Sequence, residues 1–214
     1  SSQLDPSPSH CHAMGASLAQ MHLAARSYEH QQPNLRGLAW WNQTVPTILP
    51  FLSGAQATTL QHELAFQNHV QSSFAYAALP KGAVHADAFR NNVMFVDDQL
   101  SGVFDFYFAG VDSWLFDLGV CLNDWCIDLP SGLHDGERAE AMVQAYIRVR
   151  PLSSAERDLL PALLRAGALR FWISRLWDYH LPREAAMLTP HDPRHFERVL
   201  RGRVLHPVSL SAIL

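Results

Sequence analysis

The chain has 214 residues, 48% hydrophobic and only 17% charged, which is enough apolar material for one domain or two small ones and is not the composition of a disordered chain. A net charge of -4 and a pI near 6.3 exclude the strongly basic face that binds nucleic acid. No apolar run reaches the roughly 18 residues that span a bilayer, so no membrane partner is expected.

Cys11, Cys121 and Cys126 form no C-x-x-C pair; three widely spaced cysteines predict reduced thiols in a cytoplasmic protein, not a disulfide framework. Ser1-Ser2-Gln3-Leu4-Asp5 lacks the basic segment and apolar core of a signal peptide, and the absence of an initiator Met is compatible with a piece of a longer protein.

In chain order, Pro6 and Pro8 mark residues 1–8 as a linker, after which Ser9 is expected to cap a helix over 10–27 with Cys11, Met14, Leu18, Met21 and Ala25 on one face. His10, His12 and His22 fall in or near it and read as surface histidines, since i, i+2 neighbours point to different helix faces. Residues 31–54, with Pro33, Pro46 and Pro50, read as loop and short helix, and Trp40-Trp41 as core packing or part of a pocket wall. A helix over 55–75 uses Leu60, Leu64, Phe66, Val70 and Phe74, and Leu79-Pro80-Lys81-Gly82 makes a turn. Val93–Val96 and Gly102–Phe106, separated by Asp97-Asp98-Gln99, predict a β-hairpin. Helices follow at 112–127, 136–149, 153–178 and 192–202, punctuated by Pro151, Pro182 and Pro190, with a loosely held tail over 207–214. The fold class is α+β, mainly helical, with one lobe over 9–206 and a small hairpin carrying the polar residues.

Those polar residues are Asp87, Asn92 and Asp105. Asp87 follows an apolar segment and could accept a proton from a hydroxyl. Asn92 opens the first hairpin strand and Asp105 is placed on the second, so the hairpin brings an amide oxygen and a carboxylate together. That donor set suits Mg²⁺, which keeps waters and borrows phosphate oxygens. One base and two metal ligands are what phosphoryl transfer requires. Any one of these residues alone reads as a cap or turn residue. The whole pattern, H-x-D-x-x-x-x-N followed thirteen residues later by Asp105 between Phe104 and Phe106, is harder to obtain from turn chemistry. His85 reads as a brace for the loop. A hydrolytic metal pair is the rival chemistry, but His134, His180, His191 and His195 lie in loop-like surroundings without matching spacing.

His85-Ala86-Asp87-Ala88-Phe89-Arg90-Asn91-Asn92 resembles the catalytic loop of the aminoglycoside-phosphotransferase-like kinases, relatives of the protein kinases. With Ser101–Tyr107, Asp117-Leu118, Asn123–Cys126 and Arg170–Leu176, the chain looks most like the bacterial homoserine kinases that are not of the GHMP type. The resemblance extends weakly back to Gly15–His22 and covers most of the chain to about residue 203. It implies the large C-terminal lobe of a protein-kinase-like fold, with ATP as co-substrate and Mg²⁺. Asp87 would be the catalytic aspartate, Asn92 and Asp105 the Mg²⁺ and nucleotide ligands, and Asp117 the carboxylate bracing the catalytic loop. Asp124, Asn123, Arg170 and Arg175 are candidates for a pocket that takes a small amino-alcohol or amino-acid substrate, Trp125, Phe171 and Trp172 reading as core. Arg90 reads either as a charge near that pocket or as a surface salt-bridge partner. Choline, an aminoglycoside or another amino alcohol are alternative acceptors, and a non-catalytic binding module is the alternative of another class. The resemblance also implies a preceding β-rich lobe of about a hundred residues, with a strand lysine and a G-x-G-x-x-G loop. No such loop occurs here, and the single lysine, Lys81, falls on the wrong side of the motif. The expectation is a lobe that by itself binds ATP weakly and turns over poorly.

Overall fold

The structure, a computed structural model, describes residues 5–181 and 191–214. Helix α1 (Pro8–Ala24) starts two residues earlier than expected. Ser7, not Ser9, is the N-cap: its hydroxyl accepts the His10 N–H, and His10 Nδ1 accepts the Ser7 N–H in return. Proline fits the first helical position because that N–H has no intrahelical partner. Helices α2 (Leu38–Ile48), α3 (Gly54–Gln71) and the short α4 (Phe74–Ala77) follow. Phe74, expected on the apolar face of the second helix, is 96% exposed beyond its end.

Two small antiparallel sheets then carry the central stretch. Strand β1 (Lys81–Val84) pairs with β4 (Gly110–Ser113), Lys81 opposite Ser113 and Val84 opposite Gly110. This sheet corrects the expectation of a plain turn at Lys81 and of a helix from residue 112. Between its strands lies the expected hairpin of β2 (Val93–Val96) and β3 (Gln99–Val103). Asp97 and Asp98, at φ 47° and 60°, form its two-residue turn, the left-handed pair whose twist matches that of the flanking strands.

Helix α5 (Trp114–Trp125) leaves β4 directly and is buried on every face, as an all-round apolar helix must be. It lies along α7 (Ser154–His180), where Gly119 brings the backbones so close that a Cβ would meet Leu163 O at 3.0 Å. Helix α1 lies along α6 (Gly136–Val149), and α8 (Arg194–Leu205) packs on α7. The expected tail is anchored instead: α9 (Leu210–Ile213) buries Ile213, and Val208 is buried before it. Pro182 and Pro190 lie outside the described residues. The three cysteines are buried and unbridged, and among the described residues no helix is long and apolar enough to cross a membrane.

Candidate active site

The register of the β1–β4 sheet builds the first half of the site. Because β4 runs straight into α5, the residues that leave β1 pass over the first turn of that helix, where Asp117 stands fully buried. Asp117 accepts the backbone N–H groups of His85 at 2.9 Å and Ala86 at 2.8 Å. Ala86 is held at φ 63°, a left-handed conformation that costs an L-residue about 1–2 kcal/mol. His22 Nε2 reaches the same carboxylate at 3.0 Å, and its Nδ1 meets the Tyr146 hydroxyl at 2.7 Å. Burial pushes the Asp117 pKa up, but the His22 contact and the two backbone donors outweigh it and hold the group below the ordinary carboxylate value. His22 is therefore not the surface residue expected, but a buried strut of the loop over residues 85–92.

The next turns are braced as tightly. His85 Nδ1 accepts the Asp87 N–H at 3.3 Å, while Nε2 reaches the Phe104 carbonyl at 3.0 Å and the ring packs on Phe106 at 4.5 Å. Asn92 Nδ2 donates to the Asp87 carbonyl at 2.8 Å, closing the loop on itself. The Asn92 carbonyl accepts the Phe104 N–H at 3.0 Å, so the hairpin sets Asn92 beside the approach to Asp105. Asp105 lies not on the second strand but past it, at φ 62°, opening a single turn over Phe106–Phe108. Leaving the strand frees its side chain from the alternation of the hairpin.

Asp87, Asn92 and Asp105 all face one cavity of about 500 Å³. Burial raises the pKa of Asp87, opposed by Arg170 and His85 and reinforced by the charges of Asp105 and Asp124. Arg170 Nη1 stands 3.8 Å from Asp87 Oδ1. Arg170 is buried at 3% exposure and sandwiched by Phe171 at 3.8 Å and Phe108 at 4.9 Å, and burial pulls its pKa down to about 10. Arg175 also faces the cavity, over the Phe196 ring at 4.4 Å, and burial lowers its pKa.

Three expectations for the acceptor pocket change. Arg90 is neither a surface residue nor a cavity residue: it is 2% exposed, its backbone N–H donates to Asp124 Oδ2 at 2.8 Å, and its guanidinium bonds the Asp124 carboxylate and carbonyl. Asp124 does line the cavity, but its charge is matched to Arg90, and burial still raises its pKa. Asn123 points away, donating to Leu164 O at 2.7 Å and accepting from Arg203 Nε at 2.9 Å, so its role is to tie α5 to α7 and α8. Of the histidines expected in loop surroundings, His180 ends α7 and His195 lies in α8.

The donor set suits Mg²⁺. Asn92 uses its amide nitrogen on the loop, which turns its oxygen outward, and Asp105 adds a carboxylate on the same cavity wall; a hard cation that keeps most of its waters needs few protein oxygens. Among the described residues, no three His, Cys, Asp or Glu side chains form a metal-binding group. Lys81 is outside the cavity, its Nζ 5.1 Å from the Tyr76 ring centre.

Comparison with known proteins gives the family and the fold. Residues 2–152 match the phosphotransferase enzyme family, APH. The homoserine kinase of Polaromonas naphthalenivorans strain CJ2 is 63% identical over 209 residues, 98% of this chain and 66% of that protein. The homoserine kinase of Janthinobacterium sp. strain Marseille is 57% identical over 204 residues, 95% and 63% of the two chains. The chain thus spans 63–66% of the length of these relatives. Among solved structures, a choline/ethanolamine kinase family protein from Mesorhizobium loti superposes with a TM-score of 0.65 at 17% identity, over 96% of this chain and 67% of that one. An amicoumacin kinase superposes with a TM-score of 0.63 at 15% identity, over 94% and 59%. These two likenesses concern the fold.

Proposed function

The chain belongs to the phosphotransferase enzyme family, and from that premise we propose that it is the large lobe of an ATP-dependent kinase that converts L-homoserine to O-phospho-L-homoserine. The observation that carries this reading is the convergence of Asp87, Asn92, Asp105 and buried Arg170 on one cavity. Asp87 orients the acceptor hydroxyl and takes its proton as the oxygen attacks the γ-phosphorus and ADP leaves. Asn92 and Asp105 are the residues that would hold Mg²⁺, which when bound would supply positive charge against the phosphates. Asp117, through His85 and Ala86, keeps Asp87 in place. Arg170 and Arg175 turn positive charge toward the acceptor, and Asp124 stays bound to Arg90 behind them.

A bare cation such as choline leaves the Nε and Nη2 groups of buried Arg170 without an acceptor, whereas an amino-acid carboxylate supplies one, and the 63% identity to a homoserine kinase points the same way. A purely non-catalytic module has less support, because all three polar residues of the motif are in place. Held by itself, the chain is expected to bind ATP weakly, since its single lysine is turned onto Tyr76.

The test is steady-state phosphorylation by the enzyme carrying this chain, with Mg²⁺–ATP and a panel of homoserine, choline and an aminoglycoside. Homoserine is expected to give the highest kcat/KM, and Asp87→Asn to lower turnover by roughly 10²–10⁴-fold. Preference for another acceptor, or activity in Asp87→Asn near that of the parent, refutes the assignment. Calorimetry of the isolated chain with Mg²⁺–ATP checks the weak binding; tight binding overturns that part.

A further inference from the structure

Helix α7 presents Arg170, Ser174 and Asp178 to the cavity, each four residues from the next and so on one helix face. Two of them carry unused hydrogen-bonding groups. Arg170 Nε and Nη2 and the Ser174 hydroxyl are buried and make no hydrogen bond among the described residues. Buried polar groups without partners are rare and costly. Nη1, the remaining nitrogen of Arg170, is the one near Asp87. The idle pair, Nε and Nη2, is one edge of the guanidinium plane, the edge that grips a carboxylate with two parallel bonds. Phe171 and Phe108 hold that plane in orientation.

The carboxylates around the cavity are Asp87, Asp105, Asp124, Asp178 and Asp192. Asp87 and Asp105 serve the reacting groups in the proposed function, Asp124 is paired with Arg90, and Asp192 is paired with Arg194. Asp178, at the exposed end of the α7 stripe, makes no hydrogen bond to any described residue; its charge is felt by Arg170, but its oxygens remain open to a cation.

We propose that this face of α7 reads the acceptor as a zwitterion: the Nε/Nη2 edge of Arg170 takes its carboxylate, Ser174 donates a further hydrogen bond to it, and Asp178 takes its ammonium. The acceptor hydroxyl, two methylenes beyond the α-carbon in homoserine, is then directed to Asp87, which lies on the other edge of the same guanidinium. Arg170 thus sits between the reacting end and the recognised end of the substrate, and Ser174 and Asp178 determine specificity without taking part in the transfer. The inference rests on the amino-acid kinase reading given above.

The experiment crosses variants with substrate analogues in the enzyme carrying this chain, with saturating Mg²⁺–ATP. Aminopropanol lacks the carboxylate and γ-hydroxybutyrate lacks the ammonium; each is measured as an acceptor and as a competitive inhibitor of homoserine. Asp178→Asn is expected to raise KM for homoserine roughly tenfold or more and to leave γ-hydroxybutyrate within about twofold, with KM for ATP unchanged. Arg170→Gln also removes the charge beside Asp87 and so lowers turnover of every acceptor; its selectivity is read in KM, which is expected to rise strongly for homoserine and γ-hydroxybutyrate and less for aminopropanol. Asp178 is exposed, so its variant folds even if the buried arginine variant does not. Equal losses for homoserine and γ-hydroxybutyrate in Asp178→Asn, or no loss for either, overturn the zwitterion reading while leaving homoserine phosphorylation intact. Failure of the parent enzyme to phosphorylate homoserine overturns the functional assignment itself and this inference with it.

Discussion

Replacing Asp117 by Asn tests whether one buried carboxylate organises the catalytic loop. Asp117 Oδ2 accepts from the His85 N–H and is 3.0 Å from His22 Nε2, while Oδ1 accepts from the Ala86 N–H. An Asn amide keeps the larger number of these contacts by turning its oxygen toward His85 and His22, which sets its NH₂ against the Ala86 N–H. A buried N–H left without an acceptor costs about 1–3 kcal/mol, and exchanging a charged for a neutral acceptor in the other two bonds costs about 1 kcal/mol each. The expected loss is therefore about 3–5 kcal/mol, a large part of the stability of an ordinary domain. The bond lost is also the one that holds Ala86 at positive φ, so the loop bearing Asp87 relaxes, and a displacement of about 1 Å there lowers turnover by roughly a hundredfold. Urea unfolding followed by the fluorescence of buried Trp114, Trp125 and Trp172 measures the first effect. Its pH dependence supplies an internal control. The folded-state pKa of Asp117 is depressed, so its contribution is fully present above the unfolded value of about 3.9 and is lost as pH falls through the folded value. The difference between parent and variant should therefore shrink in acid. A loss below about 1 kcal/mol at neutral pH, or one that does not change in acid, would falsify the role given to Asp117.

Asp87→Asn should lower turnover by roughly 10²–10⁴-fold without lowering the thermal midpoint. The folded-state pKa of Asp87 is raised, so the stability it contributes is present below the unfolded pKa and lost as pH rises through the folded one, and at neutral pH its charge opposes folding. A midpoint several degrees below the parent's contradicts this. Far from the site, a Cβ at Gly15 would stand 2.2 Å from the Met142 carbonyl oxygen where α1 lies on α6. Gly15→Ala should cost roughly 1–3 kcal/mol by overpacking, with kcat per folded molecule unchanged; unchanged stability in calorimetry means the helices can part more freely than their packing indicates.

What the sequence by itself determined were the features written in neighbouring residues. Helix α6 falls at the expected 136–149, capped by Asp135, and the hairpin follows from two apolar runs around Asp97-Asp98. The spacing of Asp87, Asn92 and Asp105 anticipated that they would face one cavity, because a tight loop and a hairpin are local structures that carry their side chains with them. Only the tertiary structure decided the partners. The β1–β4 sheet joins four-residue strands nearly thirty positions apart, and such short segments have too few residues to show a period of two. His22 and Arg90 look in sequence like any polar residues on a helix or a loop. Burial makes each of them demand a partner, and the packing of α1, α5 and α6 and of the catalytic loop against α5 supplies Asp117, Tyr146 and Asp124. The H-x-D-x-x-x-x-N stretch states which reaction the loop is shaped for, but the loop keeps that shape through a carboxylate on α5 and a histidine on α1, brought together only when the helices pack.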